Sequence, residues 1–133
     1  MTRKLFISVV DDNLSVRESL TELLRGFGFY AEAFPSAETY LASGALSQTE
    51  CLILDMAIPG MGGLGLRREL KRRGLDTPII LMTADMGDEE RRRIMTKYEV
   101  VACLVKPFET APLLEAISAV VLLLATRASL RKS

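Results

Sequence analysis

A doubly wound α/β sheet is the fold this sequence predicts, and three observations carry the prediction. Four of five short apolar runs are continuous rather than alternating, helical periodicity fills the intervals, and no linker, repeat or low-complexity tract interrupts the order. Continuous runs suit strands buried on both faces, as in a parallel sheet. Parallel neighbours need crossovers, and helices packed in a right-handed sense supply them. A chain of 133 residues closes a single core, so one domain over 1–133 is expected.

The first strand is LFISVV at 5–10, and the basic start before it leads too soon into two acids to be a signal peptide. Residues 14–27 follow as a helix, because Val16, Leu20, Leu23, Leu24 and Phe27 recur at helical spacing and Gly28 offers a stop. YAEAF at 30–34 is the second strand, and a helix at 36–43 starts on Ser36 as its N-cap. CLIL at 51–54 is the third strand, followed by a helix at 64–73 that ends at Gly74. IILM at 79–82 is the fourth, and the next helix, 88–98, starts on Asp88. VVACLV at 100–105 is the fifth, after which Thr110 caps a last long helix over about 110–130.

Composition removes several functions. Lys and Arg total 17, as do Asp and Glu, so bulk charge argues for neither a nucleic-acid nor a membrane partner. The chain has no His, which excludes imidazole metal sites, Ser-His-Asp triads and a phosphohistidine of its own. Cys51 and Cys103 lie inside predicted strands without a CxxC pair, and they read as buried, reduced thiols of a cytoplasmic protein.

In doubly wound sheets ligands sit outside the carboxyl ends of the strands. The residues there are Asp11 and Asp12 after the first strand, Asp55 after the third, Thr83 after the fourth, and Lys106 with Pro107 after the fifth. One such Asp is a turn former by default; several polar groups on one edge form a set. Carboxylates brought together repel unless a cation neutralises them, and Mg²⁺ suits a sparse site of carboxylates completed by water and phosphate oxygens. A Lys ammonium and a Thr hydroxyl bind the remaining oxygens of a phosphoryl group. The chemistry described is phosphoryl transfer to a carboxylate nucleophile.

FISVVDDNLSVRESL, LILDMAIPGMGGLGL, PIILMTAD and LVKPF, in that order, resemble the receiver domain of bacterial two-component response regulators over nearly the whole chain. The branch most similar carries a C-terminal helix-turn-helix transcription domain. The resemblance implies a flavodoxin-like sheet of strand order 2-1-3-4-5 and a histidine kinase as phosphoryl donor. It further implies Asp55 as phosphoacceptor, with Asp12 ligating Mg²⁺ directly, Asp11 through water, and the backbone carbonyl of Ala57 completing the protein's share. Thr83 would donate to a phosphoryl oxygen, Lys106 would pair with the acceptor, and the Lys106–Pro107 bond would be cis, which only an X-Pro bond reaches cheaply. A receiver catalyses its own phosphorylation and dephosphorylation and has no external substrate, so the expected class is a signalling domain, not an enzyme.

Two positions depart from the family pattern, and two others bear on phosphoryl lifetime. Cys103 stands at the switch position, three residues before the Lys, where Tyr or Phe is usual; a thiol cannot reproduce the inward turn of a ring, so activation is expected to pass through residues 83–88 and the following helix. The alternative is that Cys103 is a small buried hydrophobe and the output is undisturbed. Glu99 replaces the usual Gly at the turn into the last strand, which implies a reshaped turn or a register one residue off. Asp85, like Ala57, occupies a position that influences phosphoryl lifetime, with a solvated surface acid as the alternative.

The cations of RRELKRRG (67–74) and ERRRI (90–94) read as solvated helical faces, and no direct nucleic-acid contact is expected. AVVLLLA (119–125) is apolar on every side, and seven residues are too few to cross a bilayer, so no membrane association is expected. Either two copies pair through the last helix, or the helix meets a further domain of a longer chain. Two rival functions remain to be compared. A haloacid-dehalogenase-type phosphatase needs an Asp where this chain has Asn13, and a further Asp after Lys106 that it lacks. A pseudo-receiver, acting as an interaction module independent of phosphorylation, is the alternative; such domains usually lose an acid or the Lys, and here all are present.

Overall fold

The computed structural model describes residues 4–84 and 86–131; Asp85, whose influence on lifetime the sequence raises, lies outside them. Among the described residues, five strands, β1 (Phe6–Val10), β2 (Tyr30–Phe34), β3 (Cys51–Asp55), β4 (Ile79–Thr83) and β5 (Ala102–Val105), alternate with five α-helices. The helices are α1 (Leu14–Gly26), α2 (Ala37–Leu41), α3 (Gly62–Arg72), α4 (Asp88–Tyr98) and α5 (Thr110–Arg131). All strand pairs are parallel, in the order β2-β1-β3-β4-β5. The fold class and strand order are those expected.

Alternation along the central strands divides the core. Ile7 and Val9 of β1, Cys51 and Ile53 of β3, and Ile80 and Met82 of β4 join Leu20 and Leu24 of α1 and Leu113, Ala116, Ile117 and Val120 of α5. Leu52 and Leu54, with Ile79 and Leu81, face the other way and meet Tyr40 of α2 and Leu66 and Leu70 of α3. Because both faces are covered, the strands read as continuous apolar runs. Asp11 and Asp55 fall on the two-residue repeat of Ile7, Val9 and of Cys51, Ile53, so a carboxylate arrives where that alternation reaches the sheet edge.

Boundaries differ from expectation where side chains intervene. Asp55 and Thr83 are the last residues of β3 and β4, not the first residues beyond them, since β3 still pairs Asp55 with Met82 and β4 pairs Thr83 with Val105. The helix expected over 36–43 stops at Leu41 and is followed by a 3₁₀ turn, Gly44–Ser47. Ser43 causes the break: its hydroxyl donates to the Tyr40 carbonyl at 2.7 Å and accepts from the Ala45 amide at 3.3 Å. Ser36 caps α2 as predicted, accepting from the Thr39 amide at 3.0 Å.

Candidate functional site

β1 ends on Asp11, which is fully buried, and the chain turns at once into α1. Three main-chain or side-chain groups fix that turn. The Asn13 amide donates to Asp11 Oδ1 at 2.9 Å, Asn13 Oδ1 caps α1 by accepting from the Val16 amide at 3.1 Å, and the Arg17 guanidinium donates to the Asp11 carbonyl at 2.9 Å. Asp12, one residue on, faces solvent and has no ion pair among the described residues.

β3 brings Asp55 beside this turn, 7% exposed, with Oδ1 accepting from the Ala57 amide at 3.1 Å. The carboxylates of Asp11, Asp12 and Asp55 each offer an oxygen within 4.8 Å of the others. Lys106 reaches in from the end of β5: its Nζ is 2.7 Å from Asp11 Oδ2 and 3.3 Å from Asp55 Oδ2. Burial works to lower the Lys106 pKa, but the hydrogen bond to Asp11 and the charges of Asp55 and Asp11 outweigh it and hold the pKa above the usual lysine value. The Lys106 amide donates to the Thr83 carbonyl at 2.7 Å, and the Lys106–Pro107 bond is cis, as expected.

Thr83, 4% exposed, ends β4 on the same edge. All five polar side chains predicted from the strand ends are therefore on one edge, with Ala57 in the loop that follows Asp55. Hard oxygen donors fit a hard divalent cation, and the exposed Asp12 leaves one side open to it. Asn13 and Arg17, which the sequence reading did not single out as site residues, hold the frame. A polar residue immediately before a periodic apolar helix is an N-cap signal, so Asn13 was open to detection; the reach of Arg17 back to the Asp11 carbonyl was not. An apolar groove of about 520 Å³ borders Lys106, lined among others by Val16, Leu20, Leu23 and Phe108.

A profile of the response regulator receiver domain matches residues 7–118. The chain belongs to the response regulator receiver domain family. Nodulation protein W of Bradyrhizobium diazoefficiens is 40% identical to this receiver domain over 116 residues, 87% of the chain and 51% of that protein. The response regulator protein TodT of Pseudomonas putida is 38% identical over 113 residues, 85% of the chain and 49% of TodT. The solved structure of response regulator StyR superimposes with a TM-score of 0.82 at 38% identity, covering 98% of the chain and 65% of StyR. The chain thus spans about half the length of the curated relatives it matches.

The departures from the family pattern are clear in the receiver fold. Cys103 lies on β5, half-buried; burial raises its thiol pKa and the charge of Arg91 on α4 opposes this in part, while burial drives the Cys51 thiol to about 12. Glu99 takes the left-handed conformation, φ 54°, as the C-cap of α4. Its carboxylate is held by Lys71 of α3 at 3.0 Å. Arg67, expected in a solvated face, is 4% exposed and donates through Nε to the Tyr98 carbonyl at 2.9 Å.

The helix α5 also corrects an expectation. It is 22 residues long with a mean hydropathy of 1.8 over 18 of them, so too few residues is not a reason against membrane crossing. What binds α5 to the domain is packing: Leu113, Ala116, Ile117 and Val120 are buried, and Arg127 donates to the Asp76 carbonyl at 2.7 Å. Val121, Leu122 and Leu130 remain exposed.

Proposed function

We propose that this receiver domain takes a phosphoryl group onto Asp55 from a phosphohistidine of a partner kinase and signals through the state of that group. The observation that carries the reading is one ammonium, Lys106 Nζ, placed between Asp11 and Asp55 beside an exposed Asp12. An Asp55 carboxylate oxygen attacks phosphorus, the P–N bond of the donor breaks, and its electron pair leaves with the partner's imidazole, which takes up a proton. Lys106, already paired with Asp55, turns its positive charge to the new phosphoryl oxygens, and Thr83 supplies a hydroxyl donor. Asp11, Asp12, Asp55 and the Ala57 carbonyl would hold Mg²⁺, which supplies charge neutralisation at the phosphoryl oxygens. The apolar groove beside Lys106 gives a donor protein a surface next to the acceptor.

The domain has no external substrate in this reading; transfer and hydrolysis both occur on its own carboxylate. Its output is a cytoplasmic transcription-regulating segment of the kind carried by longer regulators. The test is incubation with a small phosphodonor and Mg²⁺, followed by intact mass. One base-labile phosphoryl gain, abolished by Asp55→Asn and by chelation, is the expected result. No gain in the wild type sinks the reading and favours a phosphorylation-independent interaction module.

A further inference from the structure

The first turn of α3 lies on the main chain of Asp55 itself. A Cβ added to Gly63 would stand 2.7 Å from the Asp55 carbonyl oxygen, 2.8 Å from Met56 Cα and 3.3 Å from the Asp55 carbonyl carbon. These are backbone atoms at the end of a buried central strand, so no side chain can swing aside to make room. Gly63 is not among the glycines of positive φ, which are Gly28, Gly60, Gly62 and Gly74. Its backbone is therefore open to any L residue, and what it requires is space. Helix propensity runs the other way, favouring Ala over Gly by roughly 0.5–1 kcal/mol within a helix.

The close approach is tied to the acceptor. The Gly63 amide donates to the Met56 carbonyl at 3.3 Å, closing the loop that starts there. Within the loop the Ala57 amide donates to Asp55 Oδ1 at 3.1 Å. Helix, loop and carboxylate thus form one unit, and Gly63 sets how near α3 comes to it.

We propose that Gly63 is a positioning residue for phosphoryl transfer: by letting α3 close on the Asp55 main chain, it fixes the acceptor carboxylate against Asp11 and Lys106 and fixes the Ala57 carbonyl beside them. The proposal rests on Asp55 being the phosphoacceptor. Gly65 provides the control, because a Cβ there meets the Met61 side chain, at 3.1 and 3.6 Å, and no backbone of the site.

The test compares wild type, Gly63→Ala and Gly65→Ala by Mg²⁺ titration calorimetry and by the rate of phosphorylation from a small phosphodonor. Gly63→Ala is expected to weaken Mg²⁺ binding about tenfold and slow phosphorylation by about 10–100-fold, since displacements of an ångström or less cost this much in a positioned reaction. Gly65→Ala should match wild type in both. A merely structural glycine would lower the melting temperature and leave the Mg²⁺ affinity and rate of the folded protein unchanged; that result overturns the proposal. If Gly63→Ala does not fold, the wild-type Gly63 amide resonance decides. It should shift with the same Mg²⁺ dependence as the Ala57 amide, and an unmoved Gly63 amide at saturation overturns the proposal. Wild type that gains no phosphoryl group overturns the acceptor reading, whereas a wild-type gain kept in full by Gly63→Ala overturns only the role of Gly63.

Discussion

Asp11 and Asp55 are buried and held by main-chain hydrogen bonds and Lys106, whereas α4, one strand away, buries none of its residues. The carboxyl edge of the sheet is polar yet rigid: each buried acid has a main-chain donor and shares one ammonium. The α4 flank is anchored differently, by the partly buried Ile94, Met95 and Tyr98 and by Arg67 and Lys71 of α3, which grip its C-terminal turn through the Tyr98 carbonyl and Glu99. Preorganisation of this kind suits the proposed phosphoryl transfer, which would depend on placement. A helix with few buried contacts is the part of a fold that shifts at least cost. If the proposed function holds, chemistry and response would fall to neighbouring but unequally anchored parts.

Removing Lys106 should break the rigid edge most. Lys106→Met leaves Asp11 buried without its cation, a change worth about 1–3 kcal/mol in the absence of divalent cation, and should slow phosphorylation by about 10²-fold. Denaturant unfolding and phosphodonor kinetics check the two parts. The pH dependence has a definite sign. The folded pKa of Lys106 is raised, so its stabilisation is complete below the unfolded value, about 10.4, and is lost as pH rises through the folded value. The alkaline loss should be smaller in Lys106→Met, where the part due to the buried Cys51 thiol remains.

Asp12 probes the open side of the same edge. At a hundredfold excess over its dissociation constant, Mg²⁺ should stabilise the wild type by about 2.7 kcal/mol. Asp12→Ala should lose most of that gain while unfolding like wild type without metal, because the side chain is exposed. Equal Mg²⁺ stabilisation in both proteins would remove Asp12 from the ligand set.

The smallest effect belongs to the flank. Glu99→Gly and Glu99→Ala both lose the pairing with Lys71, but only Gly relieves the left-handed backbone. The Gly variant should therefore melt about 3–5 °C above the Ala variant. Equal melting temperatures would mean that the turn carries no backbone strain.

The same division governs what the sequence made legible. Asp11, Asp12, Asp55, Thr83 and Lys106 each end or follow an apolar run, so a parallel sheet gathers them without further information. The cis Lys106–Pro107 bond and the strand order came through family resemblance. Arg67 was not legible: it sits one residue from Arg68 in a run of cations, and only the fold shows that it is buried beneath the end of α4. Arg17 was missed for the same reason, since its target is a main-chain carbonyl six residues away that charge pattern does not encode. Glu99 was visible as an irregularity, but its left-handed conformation and its Lys71 partner are tertiary facts. Gly63 is one of several glycines that follow Asp55 in the sequence, and what sets it apart is a distance.

The central claim is that Asp55, and no other carboxylate of the edge, accepts the phosphoryl group. Borohydride reduction of protein treated with phosphodonor and Mg²⁺, followed by peptide mass mapping, tests it directly, because reduction converts an aspartyl phosphate to homoserine. Homoserine at position 55 alone, and none when Mg²⁺ is chelated, is the predicted result. Homoserine at position 11 or 12, or none at position 55 under full donor, contradicts the account.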